Sequence, residues 1–144
     1  MPLANGVAKV TVQMEVPIQR LQDMLILAFE GGSNYWYTID VDRTVYAPGL
    51  SYKDFVEGGS CTDPDNYHHP LEIIPFMQGC ALCVMDKEDD SKVHWLGRNQ
   101  LLAGIQAMAE KHPRHFFDMV NEKDDACTGD VYLQCCLFGE AIYG

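Results

Sequence analysis

Residues 8–16 alternate, with Ala8, Val10, Val12, Met14 and Val16 on one face and Lys9, Thr11, Gln13 and Glu15 on the other. A period of two rich in β-branched residues predicts a half-buried strand. At Pro17 the period changes. Proline suits a first helical position, and Ile18, Leu21, Leu25, Ala28 and Phe29 recur at threes and fours, predicting an amphipathic helix over 17–30. Gly31 and Gly32 end it, because glycine takes the left-handed backbone of a helix C-terminus at little cost. The aromatic and β-branched run 34–41 predicts a second strand. Pro48-Gly49 marks a turn, and Ser51 suits the cap of one short helical turn through Phe55. The stretch 57–70 is rich in Gly, Pro, Asp and Asn without periodicity and is expected to be a loop. Loops of about fourteen residues are long for a compact domain and are often functional.

Beyond it, the apolar runs 71–76 and 80–85, separated by Met77-Gln78-Gly79, the charged turn 86–91 and the run 92–96 predict an antiparallel meander. Gly97 breaks it. The strongest helix is expected over 99–111, with Leu101, Leu102, Ile105, Met108 and Ala109 inward. Pro113 ends it and opens a short helix over 114–120 with Phe116, Phe117 and Val120 inward. An acidic loop is expected over 121–130, then a helix over 129–138 capped by Thr128, with Val131, Cys135 and Phe138 inward and a final strand over 140–143. Strands and helices are segregated, so the expected fold is α+β: a single domain over 1–144, with an antiparallel sheet of four to six strands and helices packed on one face.

Composition narrows the function. The 144 residues carry 10 Lys+Arg against 21 Asp+Glu, a formal charge of −11. That excludes a generally basic nucleic-acid binder, so no direct nucleic-acid binding is expected, though a local cationic pocket remains compatible. No apolar run approaches the ~18 residues of a membrane span and the start lacks a signal-peptide pattern, so a cytosolic protein without membrane contact is expected. The six cysteines are expected to be reduced. Cys80-Ala-Leu-Cys83 has knuckle spacing but no second knuckle, which a zinc ribbon needs.

No Gly-x-Ser-x-Gly elbow, phosphate-binding loop, His-Glu-x-x-His or dinucleotide fingerprint occurs, so neither a catalytic residue nor a cofactor is expected. Cys61, His68 and His69, with Asp63 and Asp65, are the residue types that bind metal, although such a loop arises easily by chance. The densest cationic cluster is 111–115, with Lys111, Arg114 and His115, and Arg98 lies about one helix-length upstream. A helix opening at Pro113 presents free N–H groups suited to phosphate, while Lys and His at the end of the preceding helix equally suit its negative dipole end. Asn34 precedes Tyr35, Trp36 and Tyr37, an aromatic group suited either to stacking on a base or to core packing. Arg43 is a further cation. Acid clusters at 86–90, 122–125 and 63–65 are either a solvated face or an imitation of a phosphate array.

The blocks EGGSNYWY (30–37), LLAGIQAMAEKHPRHFFDMV (101–120) and DVYLQCCLFGEAIYG (130–144) resemble small proteins of tailed bacteriophages and prophages. The size and the strand–helix–Gly-Gly–aromatic opening are similar to the phage Thoeris anti-defence sponges. That resemblance implies a homo-oligomer in the bacterial host cytoplasm that binds a cyclic ADP-ribose-type signal without cleaving it, through aromatic stacking and arginine–phosphate contacts. It carries the function class alone. The ligand-binding candidates Asn34, Tyr35, Trp36, Tyr37, Arg43, Arg98, Lys111, Arg114 and His115 come from the residues themselves. Two other readings stay open: an acidic inhibitor that mimics nucleic acid toward a host protein partner, and a metal-dependent enzyme built on Cys61, His68 and His69.

Overall fold

A computed structural model describes residues 5–57 and 70–144. Helix α1 runs Ile18–Leu27 and continues into a π-helical turn, Ala28–Gly32. Strand β1 is Tyr37–Val45, α2 is Tyr52–Glu57 and α3 is Pro70–Ile73, extended by a 3₁₀ turn over Ile74–Phe76. Strands β2, Ala81–Asp86, and β3, Asp89–Leu96, form a tight hairpin. Three helices follow: α4 over Arg98–Lys111, α5 over Pro113–Val120 and α6 over Ala126–Phe138. The fold is α+β as the pattern implies, but its antiparallel sheet has three strands, in the order β1-β2-β3. Asp40 pairs with Cys83 and Leu82 with Leu96, and β1 is irregular between Asp40 and Val45.

Three expected strands account for the difference. Residues 8–16 run without helix, turn or bend but belong to no ladder among the described residues, and Val10 and Val12 are 82% and 77% exposed. Alternation shows that one face seeks cover, but a strand also needs a neighbour to take its backbone N–H and C=O groups. The run 71–76 is helical, because Pro75 has no N–H to give a ladder and fits the start of a 3₁₀ turn. Residues 140–143 lie outside regular structure and dock through side-chain bonds described below. The expected loop 57–70, with Cys61, Asp63, Asp65, His68 and His69, lies almost wholly outside the described residues.

The helices follow their patterns more closely. Leu21, Met24, Leu25, Ala28 and Phe29 are buried from α1 and its π turn. Leu101 and Met108 are buried from α4, but the inward stripe passes through Gly104, leaving Leu102 exposed. Met119 is the buried residue of α5, while Phe117 is 57% exposed and Val120 is also exposed, against expectation. Helix α6 starts earlier than the sequence suggests. Its cap is Asp125, whose Oδ1 accepts from the Thr128 N–H at 3.0 Å while Thr128 Oγ1 accepts from the Asp125 N–H at 3.2 Å. It is the central element, buried from Thr128 through Cys136 apart from half-buried Val131. Leu82, Val84 and Leu96 of the sheet join the same core. Arg20 fastens α1 to the end of α5 and to the turn before α6, donating to Met119 O at 2.7 Å and Asp124 Oδ1 at 2.5 Å. Cys80, Cys83, Cys135 and Cys136 are buried free thiols and Cys127 is an exposed one.

Candidate functional site

Residues 33–36 form a turn, so the strand expected over 34–41 begins only at Tyr37. Ala28 O accepts from Ser33 N and Ser33 O accepts from Trp36 N, so the chain coils once more before β1 begins at Tyr37. This turn delivers side chains to Asp130 at the second turn of α6. The Asp130 carboxylate receives four hydrogen bonds: Ser33 Oγ at 2.8 Å, Tyr35 Oη at 2.7 Å, Trp36 Nε1 at 2.8 Å and Gln134 Nε2 at 3.1 Å. One turn along α6, Gln134 Oε1 accepts from the N–H groups of Ile142 and Tyr143 at 2.7 and 2.8 Å. The Tyr143 ring stacks on Trp36, centroids 5.1 Å apart and planes 13° from parallel, and its hydroxyl donates to Asp86.

The first and last of the three sequence blocks therefore meet at one buried carboxylate and amide. Trp36, 4% exposed, is a core residue with a ring face already covered, which corrects its reading as a stacking platform. Tyr35 is half-exposed, with its hydroxyl committed to Asp130. Sequence reasoning missed Asp130 and Gln134. The available signal was an i, i+4 polar pair in a helix otherwise free of charge, together with an indole N–H that needs an acceptor when buried.

Tyr37 occupies a different position. Its hydroxyl donates to Phe29 O at 3.1 Å, and burial, then the nearby Glu72 carboxylate, push its pKa up to about 12. Together with Asn34, Thr38, Tyr52, Leu71 and Lys87 it lines an open groove of about 670 Å³ along β1. Lys87, at the tip of the β2–β3 hairpin, is held there twice: its N–H donates to Trp36 O at 2.8 Å and its ammonium to Asn34 O at 3.1 Å. The groove thus has aromatic surface from Tyr37 and Tyr52, one cation, and the polar groups of Asn34 and Thr38. Lys87 was missed because it was read as part of the acidic run 86–90.

The other candidates do not converge on it. Arg43 is exposed and ion-paired to Asp40 at 2.6 Å. Arg98 opens α4 beside a second cleft, of about 570 Å³, whose walls include Gln78, Cys80 and Asn99. Lys111 closes the same helix; at ~1.5 Å per residue the two ends lie about 20 Å apart, too far to share a small ligand within one protomer. Lys111 faces Glu140 at 3.8 Å, and the neighbouring His112 accepts from the Ala141 N–H through Nε2 at 3.1 Å. That end of the 111–115 cluster receives the C-terminal segment. Arg114 and His115 lie in the first turn of α5. Among the described residues no group of three or more His, Cys, Asp or Glu side chains is placed to hold a metal ion, and no helix is long and apolar enough to cross a membrane.

Two hydrogen-bonded phenols, half-buried Tyr37 and half-exposed Tyr35, impose an alkaline limit. Tyr35 is also pushed up to about 12, first by burial and then by the hydrogen bond to Asp130. A phenol whose folded pKa lies above its unfolded value, near 10, holds its proton more tightly when folded. The stabilisation is complete below pH 10 and is lost as pH rises toward 12. Urea midpoints are expected to fall steeply from pH 10 upward, and Tyr37→Phe to make that fall shallower. An equal slope in the variant would show that Tyr37 does not contribute.

The chain matches no protein family, no curated protein and no solved structure.

Proposed function

We propose that this is a non-catalytic protein that binds and sequesters a small nucleotide signal in the groove along β1, acting as a phage-encoded counter-defence protein in the bacterial host cytoplasm. The observation that carries this reading is the groove itself, where Tyr37 and Tyr52 supply ring surface, Lys87 a cation and Asn34 and Thr38 polar contacts. Flat rings stack on tyrosine and a phosphate pairs with an ammonium, and holding a ligand requires no nucleophile or base. The field narrows the ligand. With a formal charge of −11 and carboxylates flanking Lys87 in the hairpin, a polyphosphate or nucleic-acid strand is repelled on approach. A nucleotide of low net charge, as in a cyclic species with one or two phosphates, fits better.

The test is a thermal-shift panel of cyclic and linear nucleotides, with the ligand recovered afterward for analysis. Ligand at one hundred times its dissociation constant is expected to stabilise the fold by about 2.7 kcal/mol. Lys87→Ala and Tyr52→Ala are expected to abolish the shift without lowering the ligand-free melting temperature by more than a few degrees, and the nucleotide is expected back intact. No shift across the panel overturns the proposal, and recovered hydrolysis product makes the protein an enzyme. The acidic hairpin tip favours a second reading, an inhibitor of a host protein with a basic surface. Salt-sensitive capture of such a partner together with an empty nucleotide panel would replace the first reading with the second.

A further inference from the structure

The arm before α1 runs without helix, turn or bend, is anchored at its end where half-buried Val16 packs on the core, and pairs with no strand among the described residues. Val7, Val10 and Val12 are nevertheless the most exposed large hydrophobic side chains described. Between the arm and helices α4 and α5 runs a mostly apolar groove of about 420 Å³, with Val10, Val12 and Met14 from the arm and Ile105, Phe116 and Phe117 from the helices. Thr11 of the arm and Gln106 and Glu110 of α4 are its polar members. An unpaired edge with one apolar face beside a mostly apolar groove is a template for another strand.

We propose that the missing strand is the same arm of a second copy, paired antiparallel about a two-fold axis through Val12. Three constraints select this occupant and this register. A two-fold pair sets residue i against residue 24−i when centred on Val12, so Val10 meets the partner's Met14 and Thr11 meets the partner's Gln13. Registers displaced by one residue set apolar against polar positions and mix the two faces. Among the registers that keep the faces separate, only this one resolves the charges. The stretch 7–16 carries two charged residues, Lys9 and Glu15, and centring on Val12 places each opposite the other in the partner, twice per dimer. Opposite charges directly across an antiparallel pair stabilise it, and like charges weaken it.

The ribbon does not stand alone, which would leave it marginal. The partner's arm extends the apolar face beside Phe117 and takes up the free backbone groups of this one. The outer edge of β1 is a poorer acceptor, because its ladder is irregular after Asp40 and the Asp40 carboxylate already accepts from the N–H groups of Asp42 and Arg43. This inference is independent of the nucleotide reading, since the arm and the groove along β1 have no described residue in common.

Sedimentation velocity on the untagged full chain, across a concentration series, tests the state. A dimer is expected, and Lys9→Glu or Glu15→Lys alone is expected to raise its dissociation constant about tenfold, since each sets like charges opposite one another twice. The double reversal, Lys9→Glu with Glu15→Lys, is expected to restore it. Val12→Cys reports the register, because only the residue on the axis faces its own copy, at the ~4.5–5.5 Å Cα separation that a disulfide spans. Peptide mapping of the oxidised variant is expected to find a disulfide joining the introduced thiols of the two chains to each other. A monomer at every concentration, a dimer indifferent to the single reversals, failure of the double reversal to restore it, or an introduced thiol linked to any other cysteine each overturns the proposal.

Discussion

Asp130→Ala is expected to lower the unfolding free energy by about 3–5 kcal/mol, the range reserved for mutations that strand buried polar groups. The carboxylate has four donors from two parts of the chain: Ser33, Tyr35 and Trp36 before β1 and Gln134 on α6 itself. Each donor left dry and unpartnered costs about 1–3 kcal/mol. The sum is not reached, because half-exposed Tyr35 turns its hydroxyl to water and because neighbouring losses are not additive. Ser33 and Gln134 are fully buried and Trp36 nearly so, and have no such relief. Asp130→Asn separates charge from shape. Ser33, Trp36 and Gln134 all donate to Oδ1, which an amide oxygen replaces, so the expected cost falls to about 1–2 kcal/mol. Urea unfolding followed by tryptophan fluorescence and near-ultraviolet circular dichroism gives both numbers. An alanine variant within about 1 kcal/mol of the parent would show that the carboxylate does not organise these segments.

That centre explains what could and could not be read along the chain. Helices α1 and α4 were legible because their apolar stripes are local and survive in any packing that covers one face. Helix α6 was legible as an element but not as the core, since a helix buried on nearly all sides has no stripe to assign. Its polar pair, Asp130 and Gln134, takes meaning only from partners about a hundred residues upstream and at the C-terminus. The strand at 8–16 failed for a related reason: alternation is written in one segment, whereas a strand is a property of two. The candidate site divides along the same line. Residue types suited to a nucleotide were visible, but convergence depends on the turn that buries Trp36 and leaves Tyr37 beside Lys87, and hydrophobic period encodes neither.

Gly129→Ala tests how closely α6 is seated. Alanine is the better helix former by about 0.5–1 kcal/mol, so on helix propensity alone the substitution stabilises. Packing reverses the sign. A Cβ at Gly129 would lie 2.7 Å from both Met24 O and Ala28 N and 2.6 Å from Leu27 Cβ. Two of these neighbours are backbone atoms of the helix facing it, which cannot swing aside as a side chain does, so α1 and α6 must separate along their length. Overpacking of this kind costs about 1–3 kcal/mol, and with rigid neighbours the upper end is expected even after the gain in propensity. Gly104 is a graded comparison: its added Cβ would meet Cys136 Sγ at 2.3 Å and Cys136 Cα at 2.8 Å, so Cys136→Ala relieves the first contact and not the second. Gly104→Ala is expected to be destabilising and partly rescued by Cys136→Ala, whereas Gly129→Ala has no single partner whose trimming rescues it. Gly31, with open space around it, supplies the control, and its alanine variant is expected within about 0.5 kcal/mol of the parent. A Gly129→Ala protein as stable as the Gly31→Ala control in urea would mean that the two helices are not in backbone contact, and the placement of Asp130 against the turn before β1 would lose its support as well.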